Sequence, residues 1–153
     1  MRKVFGAVGV LAGIWMVVTP WALPGHPMNA SGNMTGMMHQ QPAGVAINAS
    51  SFYWHIVPGI LAIALSLTAV FYATVALNRL VAAALLTVGV WSAAGPWVLP
   101  HWGLGDMMMS GVTAGSFARH IVPGAVLVVC AIGLFLAVSS PRRIESREAV
   151  PIR

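Results

Sequence analysis

Five histidines and nine methionines carry most of the chemistry this chain could do. His26, Met28, Met34, Met37, Met38 and His39 fall in one polar stretch, and His101, Met107, Met108 and Met109 in a second. Thioether and imidazole donors suit copper, above all cuprous copper, which favours soft ligands. Glycine and asparagine between the donors of the first stretch would let it wrap an ion. The competing reading is structural: methionine is an adaptable packing residue, and such stretches can dip into lipid or a partner without holding a metal.

His55 and His120 are a separate matter. Each stands in the motif Ser-Phe-x-x-His-Ile-Val-Pro-Gly, first from Ser51 to Gly59 and again from Ser116 to Gly124. Brought face to face, two imidazoles could ligate haem or a metal, or contact a quinone headgroup. The plainer alternative has each one capping or hydrogen-bonding at its own helix start.

The elements that position these residues are themselves duplicated. Trp15-(x)4-Pro20-Trp21-(x)2-Pro24 recurs as Trp91-(x)4-Pro96-Trp97-(x)2-Pro100. The chain is 58% hydrophobic and 7% charged, with a mean hydropathy of +0.83, whereas a soluble domain carries roughly a quarter charged residues. Apolar runs cover residues 4–23, 52–77, 80–99 and 117–140, each near the ~20 residues a helix needs to cross the bilayer. They are continuous and lack period-two alternation, which indicates helices rather than strands. The expected class is therefore all-α, a polytopic membrane protein of four transmembrane helices.

Two hairpins entering the membrane in the same direction form a parallel repeat, related by a pseudo-twofold axis along the membrane normal. The first unit spans residues 1–77 with the Met/His-rich outer loop 24–51, and the second spans 78–140. A polar cytoplasmic tail covers 141–153. The Trp-Pro motif repeats at an offset of 76 and the His motif at 65, so the first outer loop holds an insertion of eleven residues. The first span follows Arg2-Lys3 like a signal peptide, but its match to the third span argues that it is retained.

Arg2, Lys3, Arg79, Arg142, Arg143, Arg147 and Arg153 fall on one side of these spans and only Arg119 on the other. The positive-inside rule then puts both termini and the central turn in the cytoplasm. With the basic residues spread over short flanks, a nucleic-acid partner is not indicated. Gly6, Gly9 and Gly13, with Gly59, Ala62, Ser66, Ala69 and Ala73, mark close helix contacts, within the bundle or onto a larger partner. Trp21 and Trp97 suit an interfacial belt, while Trp15 and Trp91 would fill the interior or face acyl chains. Pro58 and Pro123 are expected in the first turns of their helices, where a missing N–H costs little.

The duplicated x-Pro-Trp followed by a His/Pro/Gly helix start resembles the SPW-repeat family of small bacterial membrane proteins. Thr19 and Gly95 stand where the name-giving serine would be. The resemblance implies a four-helix integral membrane domain in a bacterial cytoplasmic membrane and supplies no catalytic residues.

Several activities are disfavoured. Cys130 is the only cysteine, so a Cys-x-x-Cys exchanger is excluded. The only acids are Asp106, Glu145 and Glu148, and none lies within a span; coupled transport usually needs such groups despite their insertion cost of about 2.5–3.5 kcal/mol. No Ser/His/Asp set, phosphate loop or carboxylate pair is present. The expectation is a non-enzymatic protein with a structural or accessory role, whose partners are the lipid bilayer and other membrane protein subunits. The alternative is extracytoplasmic copper, or less favourably haem, bound through the Met/His loops.

Overall fold

The computed structural model describes residues 1–23, 52–72, 74–98, 112 and 114–139. They form four helices: α1 (Arg2–Ala22), α2 (Phe52–Phe71), α3 (Val75–Val98) and α4 (Ala114–Ser139). At 20 to 26 residues and hydropathies of 1.6 to 2.8, each is long and apolar enough to cross a membrane. A 20-residue helix rises about 30 Å, the thickness of the hydrocarbon core. No strand occurs among the described residues. The chain is thus an all-α, multi-pass membrane protein.

Helix α1 lies along α2, and α3 along α4; the two pairs then meet through α1 with α4 and α2 with α3. Glycine sets the closeness within each pair. A Cβ added at Gly13 would fall 2.8 Å from the Gly59 carbonyl, and one at Gly59 would fall 2.9 Å from the Gly13 carbonyl. The second pair repeats the contact: Gly89 would meet the Gly124 carbonyl at 2.8 Å, and Gly124 the Gly89 carbonyl at 2.6 Å. Gly89 follows Gly13 by 76 residues and Gly124 follows Gly59 by 65, the two offsets of the sequence repeat.

The small-residue stripes are used inside the bundle. Gly6, Gly9 and Gly13 are buried on α1, as are Gly59, Ala62, Ser66 and Ala69 on α2. A Cβ at Gly6 would strike Val70 of α2 at 2.6 Å, and one at Gly9 would collide with the Ser66 side chain. Lipid gives no hydrophobic drive for helix association, so van der Waals contact at such seams is the main attraction. Met16, Leu85, Leu127 and Leu134 fill the centre, while Leu11, Trp15, Trp91 and Val129 point outward. Trp15 and Trp91 are therefore partly exposed at the bundle surface rather than filling its interior.

One boundary differs from expectation. Helix α2 ends at Phe71 and α3 begins at Val75, so the turn lies at residues 72–74. Arg79 and the expected division at 77/78 fall inside α3. The apolar run continues through this turn without glycine or proline, so hydropathy could not mark it. Asn78 holds it: its fully buried amide donates to the Tyr72 carbonyl at 3.1 Å and to the Thr74 carbonyl at 2.9 Å. Arg2 donates to the same Tyr72 carbonyl at 2.9 Å, tying the start of α1 to the end of α2.

Candidate functional site: a buried histidine pair

At the bundle end opposite the 72–74 turn, α1 and α3 finish and α2 and α4 begin. There α2 contains a wide π-type turn, Phe52–Ile56, and α4 contains another, Phe117–Ile121. The cause follows each turn in sequence. Pro58 and Pro123 have no N–H, and a proline ring crowds the carbonyl four residues back, so a regular α-register cannot pass. In α4 the change of register is explicit: the Val122 N–H bonds the Phe117 carbonyl, five residues back. In that register the Ala118 carbonyl faces Pro123, which has no N–H to give. The Trp15 indole of α1 donates to it instead, at 3.0 Å.

These turns add to the expected role of the prolines. Pro58 and Pro123 are each the second residue of a regular α-helical stretch, Val57–Phe71 and Val122–Ser139, as expected, while six and nine further helical residues of α2 and α4 precede them. Their effect is to re-aim the residues ahead of them, among which are the two histidines.

His55 and His120, each the fourth residue of its wide turn, meet inside the bundle with ring centroids 4.5 Å apart and planes tilted by 34°. His55 is 9% exposed and His120 2%. The Nδ1 atom of each is buried without a hydrogen-bond partner. The helix starts carry no side-chain cap bond either, so capping does not account for the pair. Trp97 stands edge-on to His120 at 6.1 Å, and Thr19, Trp54 and Ser116 are buried at the same end. Deeper in, Met16 Sδ accepts from Ser92 Oγ at 3.9 Å, again joining positions 76 residues apart.

Arg119 is the one basic side chain described at this end. Its Nη2 donates to the Leu23 carbonyl at 2.6 Å, closing the last turn of α1, while its Nε is buried without a partner. The repeat puts Trp54 at the equivalent place in α2, packed over Gly95, where an added Cβ would come within 2.8 Å of the indole. The sequence reading singled out neither Arg119 nor Trp54 as part of the site. The available signal was that the two His motifs differ just before the histidine, Tyr53-Trp54 against Ala118-Arg119.

The pair's spacing discriminates between ligands. Two imidazoles on adjacent positions of one ion, at about 2.0 Å, place their ring centroids roughly 4.5–5 Å apart; on opposite sides of a haem iron the separation is about 6 Å. The observed 4.5 Å leaves no room for a haem iron between the rings. The loop donors His26, Met28, Met34, Met37, Met38, His39, His101, Met107, Met108 and Met109 lie outside the described residues. Among the described residues, no group of three or more His, Cys, Asp or Glu is placed to hold a metal.

No family model, curated protein or solved structure matches this chain.

Proposed function

We propose that the chain is a non-catalytic accessory protein of the bacterial cytoplasmic membrane that binds a small ligand at its outer end through His55 and His120. The observation that carries this reading is the pair itself: two imidazoles from repeat-equivalent positions, both buried, each with an unpartnered Nδ1. A buried polar atom without a partner costs about 1–3 kcal/mol, and no side-chain cap bond at the helix starts offsets it. A binding site explains why that cost is carried. Association with other membrane proteins belongs to the same reading. Its contact surface would be the outward apolar side chains, since the small-residue stripes are used internally.

Replacing both histidines by phenylalanine keeps the ring shape and removes the unsatisfied atoms. The expected result is a Tm in detergent that is unchanged or higher, because ligand sites are commonly maintained at the expense of stability. A drop of more than a few degrees in H55F/H120F would make the pair a packing element and sink the proposal.

In this reading a pseudo-twofold axis along the membrane normal relates the hairpins, supported by the paired contacts of Gly13–Gly59 with Gly89–Gly124, of Met16 with Ser92, and of His55 with His120. Both termini and the 72–74 turn face the cytoplasm, as the basic residues favour. Single cysteines in a Cys130→Ala background test this. Lys3→Cys and Thr74→Cys should be labelled only from the inner side of sealed vesicles, and Val112→Cys only from the outer side.

A further inference from the structure

We infer that the seam between α1 and α4 binds one anionic phospholipid, its phosphate on Arg119 and an acyl chain laid along the groove between the two helices. The groove is apolar, with Val8, Leu11 and Trp15 on one wall and Val122 and Val126 on the other. Two bonds cross the same seam at its histidine end: Trp15 to the Ala118 carbonyl and Arg119 to the Leu23 carbonyl. The first fixes the indole as a wall of the groove, and the second sets a cation at its head. From Leu23 to Val8 is fifteen residues, a rise of about 22 Å along α1. One leaflet, headgroup included, is about 20–22 Å thick.

Charge selects the occupant. The guanidinium carries five N–H donors, of which one serves Leu23, while Nε has no hydrogen-bond partner. Asp106, Glu145 and Glu148 all lie outside the described residues, so no carboxylate among the described residues neutralises Arg119. Guanidinium and phosphate match through paired, charge-assisted hydrogen bonds. A partner helix would need an acid placed at this one level, whereas every phospholipid brings a phosphate there. An ammonium headgroup would return a cation to Arg119, which favours a lipid of net negative charge. The other copy of the repeat has Trp54 in place of Arg119, packed over Gly95, so the fold supplies one such head and not two. The site goes beyond the histidine reading and does not depend on it.

Native mass spectrometry of the full chain in mild detergent tests the proposal, with palmitoyl-oleoyl phosphatidylglycerol, phosphatidylcholine and diacylglycerol as probes. Wild type should take one phosphatidylglycerol in preference to the other two, by the roughly 10–100-fold that a hydrogen bond to a charged group is worth. Arg119→Gln keeps a donor for the Leu23 carbonyl and should erase that preference while acyl binding persists. Val8→Trp starts from an outward side chain and fills the groove, so it should weaken all three lipids. Val90→Trp, likewise outward but on α3, should weaken none. H55F/H120F should bind phosphatidylglycerol as wild type does, so the two sites can fail separately. Equal binding of phosphatidylglycerol and diacylglycerol by wild type overturns the proposal without any variant. So does a preference that survives Arg119→Gln, or a Val8→Trp variant that binds lipid as well as Val90→Trp. A dimer formed in place of the lipid adduct would give the groove to a second copy of the chain and overturn it too.

Discussion

Gly124→Ala should cost this bundle about 3 kcal/mol, the upper part of the overpacking range, and Gly124→Val more still. The added Cβ would lie 2.6 Å from the Gly89 carbonyl, 2.7 Å from the Ala93 nitrogen and 2.8 Å from the Ala93 Cβ. Two of those three neighbours are main chain, so no rotamer change relieves them; α3 and α4 must move apart. Separation then weakens the contacts along the whole seam, where lipid offers nothing in exchange. Gly59→Ala should cost a similar amount in the first pair, because its Cβ meets Val17 at 2.7 Å and the Gly13 carbonyl at 2.9 Å. Gly133→Ala is the control. Its Cβ would collide only with the Phe5 ring, which can swing into the groove lined by Val8, Val126 and Val129. That substitution should stay within about 1 kcal/mol, as volume changes that a side chain can absorb do. Unfolding in mixed detergent micelles gives all three values. If Gly124→Ala proves no costlier than Gly133→Ala, close glycine contact is not what holds the hairpins.

Much of this arrangement was legible in the chain because the repeat is written in residue types that matter physically. The apolar runs gave four helices, and the offsets of 76 and 65 brought His55 opposite His120. The same offsets relate Gly13 to Gly89 and Gly59 to Gly124, a pairing first evident from the helix contacts. What the runs could not give was the partner of each small-residue stripe, because a stripe records only that something approaches closely. Nor could they give the α2–α3 turn: residues 72–77 carry no charge, glycine or proline to break the apolar run, and the turn is held by Asn78 reaching two carbonyls.

The wide turns were hidden for a different reason. Helical periodicity assumes 3.6 residues per turn, so an extra residue within one turn is invisible to it. Pro58 and Pro123 were the available cue, yet near a helix start they read as ordinary first-turn prolines. Arg119 was also legible only in part. Its side of the membrane followed from charge counting, but its bond to the Leu23 carbonyl depends on how α1 and α4 meet.

Pro123→Ala should dismantle the histidine pair while leaving the bundle as stable as before or more so. Alanine restores an N–H and removes the ring that crowds the preceding turn. The α4 backbone can then return to a regular register, with the residue-123 amide bonded to the Arg119 carbonyl. Losing the extra residue rotates everything ahead of it by about 100°. His120 then leaves His55, and Trp15 loses its claim on the Ala118 carbonyl. An interior proline costs a helix about 3 kcal/mol or more, so relief of even part of that offsets the lost indole bond. The expected signature is a Tm that does not fall, joined to loss of the His55–His120 ring contact in imidazole NMR spectra. Pro58→Ala should do the same to His55 from the other side, because Phe52–Ile56 and Phe117–Ile121 are equivalent turns. Amide exchange at residue 123 reads the register directly, through a protected amide that proline cannot have. Should the Pro123→Ala variant keep that ring contact, the proline-driven turn does not set the pair. The histidines would then owe their meeting to the glycine seams alone.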